Sequence, residues 1–475
     1  MEVGNGASID RIPIVECDHK HSLSFVSPLF KYATFKCACY YGCVRNELKA
    51  LVDRHLMAIK ETEETRNLVR IIGKWFIKQV PDLRTAKWDE KKVVAHKSPS
   101  QRKRVLKAFD NLREHGWSWE RSKDVILRAF TKFEKMEKTA DVEDKAPRMI
   151  QHRSYEFCAR LAQYIMPMEE HIWHWDSDFR RAPVEKRVFA KRLNSFQRAE
   201  RLKYMFEQFE DPAAIPLDFS RLDAHLLWHV MDSLEFPVYR KMNRSGELAV
   251  MLDCMKMNRG VTRNGIFYRA KGRKASGELI TSLGDSLCVL ALLLYWLRAL
   301  KKEILVDGDD CVIVVSRKSI PLIDMDFFSK VGFKAKIEKP VYQLEEVDFC
   351  QCRPVEVSED RWRMVRNPWR VFSRTCVSEQ KLDGASRDDW VASVGLGELA
   401  CNMGVPVMQA FALKLMKQGK VRPHFVEKVL FRRPGETKKP VEIPITSNAR
   451  VSFALAWGIW PSEQLYLEQI FSRGV

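Results

Sequence analysis

The stretch 305–315, LVDGDDCVIVV, decides how the rest of the chain is read. The apolar pair Leu305-Val306 runs into Asp307-Gly308-Asp309-Asp310, and five uncharged residues follow. Asp-Gly between two apolar runs is a strong short-range hairpin signal, because both residues tolerate positive φ. That accounts for Asp307 and Gly308 as the turn. Asp309 and Asp310 need another explanation. Strands are depleted in Asp, and adjacent carboxylates beside a buried strand repel each other unless a cation is bound. Successive strand residues face opposite ways, so the two are unequal metal ligands, with Asp309 nearer the chemistry.

Working outward, 212–218 reads as a short apolar strand ending at Asp218. A helix follows, with Leu222, Leu226 and Val230 on one track. Asp218-x4-Asp223 at a strand end, brought beside a hairpin with two more acids, could hold two divalent cations. The plain alternative for Asp218 is a helix N-terminal acid. Paired metals suit phosphoryl transfer. Mg²⁺ fits, or Mn²⁺ in vitro, since a hard ion takes carboxylates plus substrate phosphates and no His or Cys stands at these positions. A third element, Ser276-Gly277-x3-Thr281 with Gly284-Asp285, precedes a helix that is apolar on nearly every face, 283–300. Its hydroxyl and carboxyl groups could bond a sugar, or form an ordinary loop with a helix cap.

The 475 residues carry 80 Lys and Arg against 62 Asp and Glu, a formal charge of +18. That balance in a folded chain favours an anionic partner, nucleic acid first. The apolar fraction of 46% supports a large core. The beginning of the chain lacks a secretory pattern, and the 12 scattered cysteines are expected to be reduced thiols. Cys17, Cys37, Cys39 and Cys43 do not follow the usual paired zinc spacing, and their apolar neighbours suit buried thiols. The longest apolar run, 288–297, is about half of a ~20-residue membrane span, so any membrane attachment is expected to come through a partner or a surface patch.

Two stretches, RVLKAFDNLREHG and KDVILRAFTKFEKMEK, place apolar residues at three- and four-residue steps. They predict two amphipathic helices, or one helix and its exit. Helices are expected again near 155–175 and 188–210, short strands at FKAKIEK and EEVDFCQCRPVEV, and mainly helices beyond 355. A small central sheet between two helical regions follows from that order.

Taken together and in order, these elements resemble motifs A, B and C of viral RNA-dependent RNA polymerases, close to the tombusvirus-like group of positive-strand RNA viruses. DFSRLDAH (218–225) matches motif A, SGELITSLGDSL motif B and GDD motif C. FTKFEKMEK (130–138) and KAPRMIQHR (145–153) look like the family's finger segments, and ARLAQYIMPMEEHIW like the helix after them. VGFKAKIEKP resembles motif D, VDFCQCRPV motif E, and ARVSFALAWGIWPSEQ (449–464) the thumb-side tail. The resemblance covers most of 100–472.

It implies an α+β right-hand polymerase with fingers, a palm built on a small antiparallel sheet plus helices, and a helical thumb. The expected divisions are 1–95 as an extension bridging fingers and thumb, 96–211 fingers, 212–235 palm, 236–270 a fingers insertion, 271–355 palm and 356–475 thumb. Asp218 and Asp309 would be the principal metal ligands, with Asp310 secondary. Asp223 would accept a hydrogen bond from the incoming ribose, where reverse transcriptases place a bulky aromatic. Ser276, Thr281 and Asp285 would help select the sugar, although Asp285 stands where the family usually has Asn. Ionised Asp only accepts hydrogen bonds, whereas Asn also donates.

Lys145, Arg148 and Arg153 would neutralise the triphosphate. Lys132 and Lys135 would serve the same channel or template phosphates, with Gly277 also beside the RNA. Among Lys334, Lys336 and Lys339, Lys336 is the chosen acid for the leaving pyrophosphate. Phe349, Cys350 and Gln351 would support the nascent 3′ end. The implied partners are an RNA template, nascent RNA, ribonucleoside triphosphates, a membrane-anchoring viral replication protein and host factors. The implied setting is the host cytoplasm, at membrane-associated replication complexes. Primer-independent initiation comes with the resemblance. Rival readings are a non-catalytic basic RNA-binding replication protein and another two-metal polymerase such as a reverse transcriptase.

Overall fold

Strand β8 (Pro212–Phe219) is central to a four-stranded antiparallel sheet of order β11 (Glu303–Asp307), β12 (Asp310–Ser316), β8, β13 (Ala335–Ile337). The computed structural model describes residues 1–13, 24–25, 37–40, 42–137, 146–378, 384–426 and 436–473. The whole is an α+β protein.

Both faces of this sheet are covered, which explains why β11 and β12 read as unbroken apolar runs. On one face Ile215, Leu217, Ile304, Val306, Ile313 and Val315 join the core around the helix Thr281–Trp296. That helix has no polar face and packs against β11, the helix Glu63–Gln79 and the turn Met231–Glu235. On the other face Ala214, Leu305, Val312 and Val314 meet Ala199, Leu202 and Met205 of the helix Ser195–Glu207. Pro216 stands inside β8 just beyond the end of β13, where its carbonyl accepts the Glu338 N–H at 3.0 Å.

A second sheet has six strands in the order β1 (Glu2–Gly4), β2 (Ala7–Arg11), β10 (Phe267–Lys271), β9 (Met257–Thr262), β5 (Leu127–Thr131), β7 (Met149–His152). All pairs are antiparallel except β9 with β5. Of the two expectations for 104–138, one helix and its exit holds, and β5 replaces the second amphipathic helix. Pro99–Glu114 is helical, but Leu127, Ala129 and Thr131 are buried while Arg128 and Phe130 face out, the period of a strand.

Short pairings tie distant segments together. β3 (Ser24–Phe25) pairs with β16 (Val377–Ser378), and β4 (Cys37–Ala38) pairs with β6 (Met136–Glu137). After the hairpin of β14 (Cys352–Ser358) and β15 (Arg361–Arg366) the chain is mainly helical and has its own core around Phe372, Phe411, Phe453 and Phe471. Cys17 lies outside the described residues; Cys39 is buried and Cys43 half-buried. Among the described residues no helix is long and apolar enough to cross a membrane.

Candidate active site

Directly opposite residues of antiparallel neighbours point to the same face. The registers Asp307↔Asp310, Asp310↔Asp218 and Asp218↔Lys336 therefore lay three carboxyls and an ammonium in one row across all four strands. The row ends the face shared with the helix Ser195–Glu207. Asp309 lies just beyond it, exposed at the hairpin tip. The turn sits one residue later than the sequence reading placed it. Its central residues are Gly308, at φ 70°, and Asp309, which is not in the left-handed region, while Asp307 closes β11. Those signs match a type II′ hairpin turn, with Gly at the first central position. The Gly308 N–H donates to Ser286 Oγ at 3.0 Å, and that hydroxyl donates to the Ser282 carbonyl at 2.8 Å. The hairpin tip is thereby tied to the Thr281–Trp296 helix.

The acids of the row are in different states. Asp307 is neutralised by Arg198, with Nη2 to Oδ2 at 2.6 Å, and the guanidinium lies 5.8 Å from the Phe349 ring centre. Burial pushes the Asp310 carboxyl up to about 7, with Asp309, Asp218 and Asp307 adding to it. Burial also raises Asp218; Asp309 adds and Lys336 opposes. Lys336 itself is paired with Glu338, which raises its pKa. Asp218 and Asp310 are thus crowded carboxyls with little local compensation, the condition a bound cation relieves.

Among the described residues no three His, Cys, Asp or Glu side chains are grouped as a preformed metal cage. Carboxylates on adjacent strands without His or Cys still fit Mg²⁺, which takes one or two protein carboxylates and completes its shell with water and phosphates.

Asp223 Oδ1 is 3.8 Å from Arg54 Nη2 and accepts the Ala224 N–H at 3.1 Å. Gly277, at φ 113°, leaves no room for a side chain: a Cβ there would stand 3.0 Å from Ile150 Cγ2 and 3.1 Å from the Gln151 carbonyl oxygen. Gln151 donates its N–H to the Ser276 carbonyl at 2.7 Å. The Thr281 hydroxyl donates to the Ala275 carbonyl at 3.0 Å. Asp285 has a buried Oδ1 that no described group bonds. Burial pushes its carboxyl well above the ordinary range; Lys274 opposes this and Glu235 adds to it. Lys274 and Glu235 form a wholly buried ion pair at 2.6 Å, with the Tyr239 hydroxyl on the same Glu235 oxygen at 3.0 Å. Gly284 makes room for that pair, since a Cβ would come within 2.1 Å of Glu235 Oε1 and 2.4 Å of Lys274 Nζ.

The basic residues divide. Lys132 and Arg148 share Glu134, at 2.6 and 3.1 Å, and both stay substantially exposed. Arg153 does not: its side chain is 1% exposed, bonded to Glu278 at 2.5 Å and Asn258 at 2.6 Å, and also to the Val125 carbonyl. The expectation that Arg153 meets a triphosphate is corrected accordingly, because every edge of its guanidinium is used inside the protein. Lys135 donates to the Arg374 carbonyl at 3.1 Å and to that of Val377. Lys145 lies outside the described residues.

Phe349 is 2% exposed with the Arg198 guanidinium over its ring, so the expectation that it directly supports a nascent 3′ end is corrected. Cys350 and Gln351, at φ 53° and 61°, are the central residues of a tight turn, with Cys350 Sγ 3.9 Å from Asp307 Oδ2 and Gln351 exposed. The sequence reading missed Arg54, Arg198, Lys274 and Glu235. Their partners are far away in the chain, and none carries a local signal.

The family described as "Viral RNA dependent RNA polymerase" matches residues 43–474, and the chain belongs to that family. A protein of Tobacco necrosis virus (strain D) named RNA-directed RNA polymerase is 33% identical over 401 residues, covering 78% of this chain and 52% of that protein. Proteins of the same name from Groundnut rosette virus (strain MC1) and Tomato bushy stunt virus (strain Cherry) are each 31% identical, covering 78% and 74% of this chain and 44% and 43% of their own lengths. The chain spans about half the length of these relatives.

Proposed function

We propose that this chain is the RNA-synthesising part of a viral RNA-directed RNA polymerase, copying an RNA template from ribonucleoside triphosphates. The observation that carries the reading is the cross-strand pair of Asp218 and Asp310, with Lys336 next in the row and Asp309 at the tip. The small sheet of β11, β12, β8 and β13 is read as the palm, the six-stranded sheet with its helices as fingers, and the helical region after β15 as the thumb. The pairings of β3 with β16 and β4 with β6 support a bridging role for the first 95 residues.

Asp218, Asp309 and Asp310 would hold Mg²⁺, which when bound lowers the charge cost of hydroxyl attack and of the departing pyrophosphate. The growing strand's 3′-hydroxyl oxygen bonds to the α-phosphorus while the bond from phosphorus to the pyrophosphate oxygen breaks. Lys336 gives its proton to the pyrophosphate, and the hydroxyl proton goes to solvent. Among the three candidate lysines, Lys336 is favoured by its register opposite Asp218. Arg148 and Lys132 draw in the triphosphate, Asp223 and Asp285 test the sugar, and Arg153 positions the loop of Ser276 through Glu278. Primer-independent initiation and docking to membranes through a viral partner belong to the same reading.

The test is nucleotide incorporation on single-stranded RNA by the wild type and Asp309→Ala. Synthesis is expected to be lost in the variant with RNA binding kept. Equal incorporation would remove the proposal. Deoxynucleotides on a DNA template separate it from a reverse transcriptase.

A further inference from the structure

Asp223, the acid that the proposed function sets against the sugar, has a charged partner from a distant part of the chain. Arg54 stands in Leu51–His55, a wide turn closed by the Leu56 N–H on the Leu51 carbonyl at 2.7 Å. That bond spans five residues instead of the usual four, and such π-type turns are rare and recur at functional sites. The turn packs against the short helix Leu222–His225, which carries Asp223.

Consecutive residues of the turn grip the two segments on either side of that acid. The Asp53 carbonyl accepts from Arg221 Nη1 at 2.7 Å. The Arg54 guanidinium faces Asp223. The His55 carbonyl accepts from Arg273 Nη1 at 3.0 Å, just ahead of the Ser276 loop. Arg221 is itself left-handed, at φ 55° and ψ 46°, a strained conformation for a residue with a Cβ. Its bond to Asp53, with Met57 Sδ at 3.2 Å, holds it there. The backbone that aims Asp223 is therefore secured from residues 53–57.

The Asp223 carboxylate is engaged on one oxygen. Oδ1 takes the Ala224 N–H at 3.1 Å and is the atom 3.8 Å from Arg54 Nη2. Among the described residues no group bonds Oδ2. Of the charges around Arg54, Asp223 acts on it most strongly, ahead of Arg148, Arg221 and Glu134. The two side chains are 21% and 16% exposed, so salt and water screen the pair only in part.

We propose that Arg54 is a positioning residue for sugar selection: it pins Oδ1 so that Asp223 presents Oδ2 to the 2′-hydroxyl of the incoming nucleotide. The inference rests on the proposed function, which assigns Asp223 to the sugar. A nucleotide without that hydroxyl cannot make the bond however the carboxylate is turned. Loosening the carboxylate therefore lowers the ribonucleotide's advantage.

The test is single-nucleotide incorporation of UTP and of its 2′-deoxy analogue on an annealed RNA primer and template, read as the ratio of the two kcat/KM values. Arg54→Ala should lower that ratio about threefold to fivefold, the scale of a partly exposed ion pair. Arg54→Met keeps the stem without the charge and should match Arg54→Ala; Arg54→Lys should recover most of the ratio. Asp223→Ala should lower it by at least about tenfold. Adding Arg54→Ala to Asp223→Ala should then change nothing further, because the arginine acts through the acid. Melting temperature identifies a variant that fails to fold, and if Arg54→Ala is one, Arg54→Met decides. A wild-type ratio in Arg54→Met, or a further fall in the double variant, would overturn the proposal. If Asp223→Ala still lowers the ratio, that outcome sinks this inference alone. An unchanged ratio in Asp223→Ala removes the sugar role of that acid, and no incorporation by the wild type removes the polymerase reading; this inference falls with either.

Discussion

Asp218 and Asp310 stand directly opposite each other on neighbouring antiparallel strands, and burial lifts both carboxyls. The sign of the pH effect follows. A carboxyl whose folded pKa is raised holds a proton that the unfolded chain has released, so its contribution to stability falls as pH rises from about 4 to the folded value. For Asp310 that window ends at about 7. Thermal melts of the metal-free protein should therefore lose on the order of 1 kcal/mol per pH unit across the window. Asp310→Asn should flatten that slope. Mg²⁺ at pH 8 should raise the melting temperature of the wild type and do so less for Asp309→Ala. A wild-type slope in Asp310→Asn would count against the assignment.

Arg198→Ala removes the partner of Asp307 and leaves a third uncompensated acid on the row. A loss of about 1.5–3 kcal/mol in urea unfolding is expected, together with reduced nucleotide incorporation. Arg198→Ala/Asp307→Asn should recover most of the stability. Failure of that double variant to recover would show that the pair matters through packing on Phe349 instead.

Two neighbouring arginines should behave oppositely. Arg153→Ala strips a buried pair from Glu278 and should cost about 3–5 kcal/mol. Arg148→Ala, on the surface, should change stability by less than about 0.5 kcal/mol while raising the KM for nucleotides. Comparable destabilisation by both would contradict the burial described for Arg153.

The contrast also shows how much the sequence could tell. The β11–β12 hairpin, β8 and the helix Thr281–Trp296 were legible because each is encoded locally, by turn residues between apolar runs or by a continuous apolar stretch. So was the order of the acids. The turn was misplaced by one residue because Asp-Gly and Gly-Asp are both competent turn pairs, and the ladder register decides between them. β5 was left between a second helix and the first helix's exit because VILRAFTKF satisfies both the helical and the alternating pattern until its neighbours β7 and β9 are known. Arg153 looked like a surface cation, because its partner Glu278 lies 125 residues away. Arg198 gave no sign of its role for the same reason, being 109 residues from Asp307.

Asp285→Asn should keep activity, because the position then offers a donor without needing a proton. Lys274→Met should cost about 3–5 kcal/mol by leaving Glu235 buried and unpaired, and Lys274→Met/Glu235→Gln should restore much of it. Ribonucleotide preference over deoxynucleotides, measured in the folded variants, should fall for Asp223→Ala and hold for Asp285→Asn. An inactive Asp285→Asn would give the acid a role of its own.

The hydrogen bond from Gly308 to Ser286 has a mechanical consequence. Thr281 opens the helix, and Ser286 follows five residues later, about 7.5 Å along the same rigid rod. Asp285 stands between Thr281 and Ser286 on this rod; on the proposed reading this end meets the sugar, while Ser286 holds the hairpin tip that carries Asp309. On that reading, a misfitting sugar that tilts this end of the rod would also shift the tip. Selection and reaction would then hang from one lever, so a wrong substrate would detune the chemistry without needing to be expelled.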